Sequence, residues 1–271
     1  MNDNTVAFIG AGNMARSVIA ALIKQGYPAA NIIASNRNSE KLAALASEFA
    51  IQTTTDNVYA AKLADVIVLA VKPQFMAEVC QSIIAEAPEI HEKLFVTVAA
   101  GLPVSRYREW LGNIRIVRAM PNTPAQIGLG ITGLYPSQCS NYEKSFVDQL
   151  FSGCGRNIWL DNEAQINHII AVSGSAPAYF FYFMQAMQQQ AESLGFSSED
   201  ARAIVAQTAL GATTLAAQSR LSFAELRAEV TSKGGTTHEA IETFRARELE
   251  QTVAAAMQAA INRAEAIAAT L

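Results

Sequence analysis

The stretch VAFIGAGNMARSVIAAL, residues 6–22, joins an apolar run to a helical pattern through a short turn that contains two glycines. Gly10, Gly12 and Ala15 stand in the spacing G-x-G-x-x-A. In a strand–turn–helix unit the first glycine permits the turn, the second lets a pyrophosphate approach the backbone, and the third small residue lets helix and strand pack closely. The stretch therefore predicts a dinucleotide site at a helix N-terminus, with a plain tight turn as the alternative.

Strand-like and helix-like patterns alternate from this turn to about residue 160. Short apolar runs occupy residues 6–10, 31–36, 65–71, 94–101 and 115–120, and helical periodicity marks residues 13–25, 38–49, 56–62, 73–86 and 103–111. The run DVIVLAV at 65–71 lacks in–out alternation, which indicates a strand buried on both faces of a parallel sheet. The alternation predicts a doubly wound α/β domain over residues 1–161.

The second part of the chain, residues 162–271, shows helical patterns alone. We predict helices over 175–196 and 197–218, a third that begins at the capping-box spacing of Ser222 and Glu225, and a last tract from about 236 to 268. The fold class is therefore α/β, with a Rossmann-type domain followed by an all-helical domain. The run AYFFYF at 178–183 is aromatic on every side of its helix, which favours a buried core or a subunit interface.

The composition excludes several classes of protein. Hydrophobic residues make up 51% and charged residues 16% of the chain, which argues for a compact globular protein. The net charge of −4, without a cluster of Lys or Arg, gives no reason to expect a nucleic-acid partner. Three cysteines without a CxxC pair predict neither a disulfide framework nor a zinc site. The N-terminus has no basic region followed by an apolar stretch, so we predict no signal peptide, and no apolar run reaches the roughly 20 residues of a membrane span. We therefore expect a cytoplasmic protein, and we expect no bound metal.

The end of the second predicted strand bears on which dinucleotide binds. A free ribose 2′-hydroxyl is usually met there by Asp or Glu, about 20 residues after the glycines. This chain reads ASNRNSEK and offers Ser35, Asn36 and Arg37 instead. Hydroxyl, amide and guanidinium groups suit a 2′-phosphate, so the sequence favours NADP(H) over NAD(H). The alternative is an Arg37 that lies in solvent with no cofactor role.

Five motifs in one order resemble those of the pyrroline-5-carboxylate reductase family: GAGNM (10–14), AVKPQ (70–74), RAMPNTPA (118–125), SGSAPAY (173–179) and TSKGGTT (231–237). The resemblance spans nearly the whole chain. It implies reduction of the cyclic imine Δ1-pyrroline-5-carboxylate to L-proline with NAD(P)H, the last step of proline biosynthesis. It also implies a homodimer whose helical domains interleave, with the substrate site between these helices and the cofactor domain. Some members assemble their dimers into larger rings.

The resemblance, together with the patterns above, implies two sets of site residues. The cofactor-binding set comprises Gly10, Ala11, Gly12, Asn13, Met14, Ser35, Asn36, Arg37, Asn57, Ala70, Val71, Lys72, Pro73, Met120, Pro121 and Asn122. The substrate-binding set comprises Ser232, Gly234, Gly235, Thr236 and Thr237, with Thr237 as the catalytic residue that hydrogen-bonds the imine nitrogen or guides its proton.

The glycine pair of the last motif has a physical purpose in such a site. Gly234 and Gly235 let the backbone curl and expose N–H groups to the substrate carboxylate. Thr236 and Glu239 have the spacing of a capping box, which would open a helix whose N-terminus attracts the same carboxylate. Lys233 stands where the family usually has proline; it loosens the loop but adds a positive charge, and the sequence leaves open which effect dominates.

Two other functions compete with imine reduction. A 3-hydroxyacid dehydrogenase pairs similar domains but normally needs a lysine acid/base on the helix after the Rossmann domain, where this chain offers Asn167, His168 and Ser173. A non-catalytic NADP-binding regulator would have no obvious need for a carboxylate-binding loop. Both alternatives are therefore disfavoured.

Overall fold

A single eight-stranded sheet organises the first half of the computed structural model, which describes residues 4–270. The outer ends of the two predicted domains, residues 1–3 and 271, lie outside this range. The strands run in the order β3-β2-β1-β4-β5-β6-β7-β8, and all neighbours are parallel except β6 and β7. They are β1 (Val6–Ile9), β2 (Ile32–Ser35), β3 (Gln52–Thr54), β4 (Val66–Leu69), β5 (Leu94–Thr97), β6 (Arg115–Met120), β7 (Gly130–Ser137) and β8 (Gly155–Trp159).

Six helices cover this sheet: α1 (Asn13–Lys24), α2 (Ser39–Phe49), α3 (Asn57–Leu63), α4 (Met76–Glu86), α5 (Val104–Leu111) and α6 (Asn141–Ser152). Along β1, Val6 and Phe8 belong to one hydrophobic cluster, whereas Ala7 and Ile9 belong to the other. Both faces of the sheet are therefore packed, which explains why the central strands read as unbroken apolar runs. The predicted α/β class and Rossmann-type topology are confirmed.

The sequence did not predict the strands β3, β7 and β8 or the helix α6. β3 is a three-residue, partly exposed edge strand. β7 contains two glycines and a proline, which weaken a strand pattern, and β8 places Arg and Asn among its five residues. Pairing with neighbouring strands compensates for these weak patterns, because residues 133–137 of β7 pair with β6 and residues 130–134 of β7 pair with β8.

The remaining chain is helical, as predicted. It comprises α7 (Gln165–Ile169), a π-helix (Ile170–Gly174), α8 (Ala176–Ser193), α9 (Ser198–Gln218), α10 (Phe223–Glu229), α11 (Thr236–Ala246) and α12 (Leu249–Thr270). The prediction of one continuous helical tract from 236 to 268 is wrong, since Glu248 adopts a left-handed conformation (φ 55°) between α11 and α12. No glycine or proline marks this break in the sequence.

The chain divides into two compact units. One contains the chain up to Ser175 together with the segment from Ala260 onward, and the other contains Ala176–Ala259. In the second unit the consecutive side chains of Phe180, Phe181, Tyr182 and Phe183 are between 46% and 75% exposed. A surface with this much aromatic area is typical of an interface with another chain. None of the helices within residues 4–270 is both long and apolar enough to cross a membrane.

Candidate functional site

A cleft of about 430 Å³ lies at the carboxyl ends of β1, β2 and β4. Ten predicted cofactor residues line it, namely Gly10, Ala11, Gly12, Ser35, Asn36, Arg37, Asn57, Ala70, Val71 and Lys72. Lys41, Phe75, Glu78, Val79 and Ser82 complete the lining and were not predicted. Asn13, Met14, Pro73, Met120, Pro121 and Asn122 lie outside it. In a doubly wound sheet this edge, where the strand order reverses between β1 and β4, is where ligands bind.

The turn between β1 and α1 has the geometry of a pyrophosphate site. Gly10 has φ 102°, and a Cβ there would stand 2.8 Å from the carbonyl carbon of Ala70. A Cβ on Gly12 would meet nothing within 4 Å, so the backbone at this point is open to a ligand. Gly12 is the N-cap of α1 and has no side chain to cap it, and within residues 4–270 the N–H groups of residues 13–15 donate to no other group. These residues therefore fit the phosphates of a dinucleotide.

The end of β2 carries hydrogen-bonding and cationic groups into the same cleft. The Ser35 hydroxyl donates to Asn57 Oδ1 at 2.5 Å, which fixes both side chains beside the turn. The guanidinium carbon of Arg37 lies 5.0 Å from the ring centroid of Phe75. Arg37 is exposed and has neither a hydrogen bond from its side chain nor an ion pair among the residues that the structure describes. Its N–H donors are thus available to a ligand.

The charge of the cleft is positive. Arg37, Lys41 and Lys72 line it together with one carboxylate, that of Glu78. Lys41 was missed because it lies inside a helical pattern, although its place in the first turn of α2, four residues after Arg37, is a usable signal. Phe75 ends a 3₁₀ turn at the start of the run 73–86, which the sequence predicts as one helix, and nothing in that pattern indicates that its side chain lines the cleft.

The end of β6 meets the π-helix. Asn122 is buried; its Oδ1 accepts from the Ile131 N–H at 3.0 Å and its Nδ2 donates to the Ser173 carbonyl at 3.2 Å. A Cβ on Gly174 would lie 3.2 Å from Cε of Met120. The structure therefore brings the RAMPNTPA motif and the first residues of the SGSAPAY motif together, and it engages the Asn122 side chain in holding them.

The loop before α11 contains a tight turn. The Gly235 N–H donates to the Ser232 carbonyl at 3.0 Å, and Gly234 has φ 73°. Lys233 is not among the residues with positive φ, so this is a type II turn, with Lys233 at the second position and Gly234 at the third. The third position requires glycine, and the second is the one that proline favours. The family's usual proline would therefore fit at Lys233.

The predicted capping box of Thr236 and Glu239 is wrong. Gly235 is the N-cap of α11, with extended backbone angles (φ −81°, ψ 169°) and no side-chain cap, and Thr236 is already the first helical residue. A hydroxyl at the first helical position cannot take the N-cap role. The first-turn N–H groups of α11 are therefore free of a side-chain cap. The hydroxyls of Thr236 and Thr237 have no partner within residues 4–270.

The cysteines offer no thiolate at neutral pH. Burial raises the pKa of Cys80 to about 12 and, as the largest cause, the pKa values of Cys139 and Cys154 to about 11. The nucleophile of a thiol mechanism is the thiolate, so these residues are not suited to that role. In the part of the chain that the structure describes, no three His, Cys, Asp or Glu side chains are grouped to hold a metal ion.

Comparison with known proteins finds a family model that matches each half of the chain. Residues 163–267 match the family model described as pyrroline-5-carboxylate reductase dimerisation, and residues 5–101 match the one described as NADP oxidoreductase, coenzyme F420-dependent. The pyrroline-5-carboxylate reductase of Vibrio alginolyticus is 46% identical over 268 residues, covering 98% of each chain. That of Pseudomonas aeruginosa is 48% identical over 274 residues, covering 100% of this chain and 99% of the relative. The chain belongs to the pyrroline-5-carboxylate reductase family.

The likeness extends to three-dimensional structure. A solved pyrroline-5-carboxylate reductase from Coxiella burnetii aligns with a TM-score of 0.93 at 39% identity, covering 98% of this chain and 99% of the other. The reductase dimerisation match begins just before α7 and extends into α12, so the exposed aromatic run of α8 lies inside the dimerisation domain.

Proposed function

We propose that the chain reduces Δ1-pyrroline-5-carboxylate to L-proline with NADP(H), the last step of proline biosynthesis. The observation that carries this proposal is the loop at residues 232–237 in a chain that also has a dinucleotide cleft. The loop is a type II turn followed by a helix without a side-chain cap, whose first two hydroxyls have no partner among the residues that the structure describes. Free N–H groups at a helix N-terminus attract an anion such as the substrate carboxylate.

The loop at residues 232–237 would contribute to catalysis mainly by holding and orienting the substrate. The N–H groups of the first turn of α11 and the hydroxyls of Ser232 and Thr236 would bind the carboxylate. The Thr237 hydroxyl would hold the imine nitrogen. NADPH, when bound, supplies the hydride that forms the new C–H bond. The π electrons of the C=N bond then move to nitrogen, and a protonated nitrogen loses its positive charge without needing a strong general acid. Orientation of this kind is a large source of rate acceleration.

The remaining predicted residues have roles in the same proposal. Ala70–Pro73 would border the cofactor after β4, and Asn13 and Met14 would follow the phosphate turn. Met120, Pro121 and Asn122 would lie near the nicotinamide, with Asn122 acting through its backbone, because its side chain is bound to Ile131 and Ser173. The boundary between the cofactor domain and the dimerisation domain would fall at 161/162, which is supported by the family match that begins at residue 163.

The preference for NADP(H) rests on the positive cleft at Arg37. We expect Arg37→Ala to raise the KM for NADPH about five- to tenfold, since a charge-assisted hydrogen bond to the 2′-phosphate is lost while Lys41 and Lys72 remain. The KM for NADH, which has no 2′-phosphate, should stay within about twofold of its wild-type value. Steady-state kinetics with both cofactors measures the two changes; equal losses would remove the assignment of Arg37.

Substitutions at Lys233 can distinguish the effect of backbone rigidity from the effect of charge in the loop before α11. Proline fits the second position of a type II turn, so Lys233→Pro should keep or raise Tm. Both Lys233→Pro and Lys233→Gln remove a positive charge near the proposed carboxylate site. We expect each to raise the KM for the imine by less than about fivefold, because the side chain is exposed. If Lys233→Gln raises the KM and Lys233→Pro does not, rigidity compensates for the lost charge.

We propose that the working form is a homodimer, as the exposed aromatic residues inside the dimerisation domain support. Light scattering should give twice the chain mass of 29.1 kDa, and a higher multiple would reveal an assembly of dimers. We place the protein in the cytoplasm, in keeping with its three unpaired cysteines.

The choice of substrate tests the function. Purified protein with NADPH should oxidise the cofactor when the cyclic imino acid is added. With NADP⁺ it should show no comparable reaction with 3-hydroxy acids. The opposite preference would favour a 3-hydroxyacid dehydrogenase. Binding of NADPH without turnover of any cyclic imine would favour a non-catalytic regulator.

A further inference from the structure

The cationic end of the cleft contains an aromatic contact that no predicted role uses. The Arg37 guanidinium lies 5.0 Å from the ring centroid of Phe75, within the range of a cation–π interaction. No carboxylate in the described part of the chain pairs with Arg37, so its charge is held near the cleft without being neutralised.

The position of Phe75 is set by local structure. It is the last residue of the 3₁₀ turn Pro73–Phe75, and its N–H donates to the Lys72 carbonyl at 3.0 Å. The helix α4 begins at the next residue, and Met76 is fully buried. The ring is therefore attached to a backbone that is anchored on both sides. An exposed arginine has several freely rotating bonds, and restraining it before the ligand arrives lowers the entropic cost of binding.

We propose that Phe75 is a positioning residue that sets the preference for NADPH by holding Arg37 at the 2′-phosphate. The proposal rests on the proposed use of NADP(H) and goes beyond it by naming a side chain that acts through another. Phe75 touches the phosphate-binding group, and the phosphate is the part by which NADPH differs from NADH. Loss of the ring should therefore lower the affinity for NADPH and leave the affinity for NADH unchanged.

A second role for Phe75 predicts a different result. A ring in this cleft that packs against adenine would contribute equally to both cofactors, since both contain adenine. The ratio of the two affinities therefore separates the roles, because a purely structural or adenine-packing side chain does not change that ratio.

The test is a set of variants in the full-length protein, with Kd for NADPH and for NADH measured by titration without substrate. We expect Phe75→Leu to raise the Kd for NADPH about two- to fivefold, which corresponds to the loss of an exposed cation–π contact. The Kd for NADH should be unchanged. Phe75→Tyr, which keeps the ring, should bind NADPH with the wild-type Kd. Phe75→Met also removes the ring but introduces an unbranched side chain, and it should behave like Phe75→Leu. Agreement between the two variants would show that the effect comes from loss of the ring and not from a disturbance of the turn by leucine.

The chain offers a matched control. The Arg16 guanidinium lies 5.6 Å from the ring of Phe49, and neither residue lines the cleft. Phe49→Leu therefore makes the same chemical change under another arginine and should leave both cofactor affinities unchanged. In an Arg37→Ala background, Phe75→Leu should have no further effect on NADPH, because the two residues act as a pair.

The proposal would be overturned by equal losses of affinity for NADPH and NADH, by weakened NADPH binding in Phe75→Tyr, or by an undiminished effect of Phe75→Leu in the Arg37→Ala background. Wild-type binding by both Phe75→Leu and Phe75→Met would also overturn it. These outcomes are distinct from failure of the proposed function, in which the wild-type protein itself would bind NADPH no better than NADH or would not reduce the imine.

Discussion

Thr237→Ala is expected to lower kcat for reduction of the imine roughly 10- to 150-fold, the equivalent of one hydrogen bond to a charged group. Thr237 lies in the uncapped first turn of α11, and its hydroxyl has no partner among residues 4–270. A substrate nitrogen can therefore use this hydroxyl without breaking an existing bond. The Kd for NADPH, measured without substrate, should stay within about twofold of the wild-type value.

Two controls accompany this variant. Thr237→Ser keeps the hydroxyl and should retain most of the activity. Thr236→Ala removes the neighbouring hydroxyl and should act mainly on the KM, through the carboxylate. Unchanged turnover in Thr237→Ala would remove the catalytic role of Thr237, and a parallel loss of NADPH affinity would show that the substitution disturbs more than the substrate.

Gly10→Ala is expected to have the largest effect on stability at the site. Gly10 has φ 102°, and the added Cβ would stand 2.8 Å from backbone atoms of Ala70 and Val71. Backbone strain and overpacking each cost about 1–3 kcal/mol, so we expect a loss of roughly 2–6 kcal/mol and a fall in Tm of about 5–20 °C. Calorimetry measures this change directly.

Gly12→Ala, two residues away, is the matched control for stability and a test of the pyrophosphate site. Its φ of −85° is ordinary for alanine, and the added Cβ would meet no atom within 4 Å. We expect a loss of at most about 1 kcal/mol in stability but an increase of about tenfold or more in the Kd for NADPH, because the methyl group occupies the approach of the phosphates. Wild-type NADPH binding by Gly12→Ala would contradict the site.

The sequence predicted the parts of the fold that carry strong local patterns. The turn at Gly10 could be predicted from the spacing of its glycines. The strand β4 could be predicted because a parallel sheet with both faces covered produces unbroken apolar strands. The strands β7 and β8 could not be predicted in the same way. Their residues, such as Pro136 and Asn157, have weak strand preference, and their structure depends on pairing with a neighbouring strand, β6 for β7 and β7 for β8.

The candidate site divides along the same line. Ser35 and Arg37 could be placed in the cleft because they end a recognisable strand, and the structure brings them there. Phe75 could not, because its contact with Arg37 depends on the packing of two loops that are far apart in sequence. The capping-box prediction failed for a local reason: the spacing of Thr236 and Glu239 fits, but the turn at Gly234 places the helix start one residue earlier, at Gly235.

The central claim is hydride transfer from NADPH to the carbon of the cyclic imine. It is tested most directly by supplying NADPH that carries deuterium at the transferable position of its nicotinamide ring, together with Δ1-pyrroline-5-carboxylate, and analysing the product by mass spectrometry and NMR. The account predicts L-proline with deuterium at carbon 5, the former imine carbon, formed in step with NADPH oxidation. Folded protein that binds NADPH yet forms no labelled proline would contradict it.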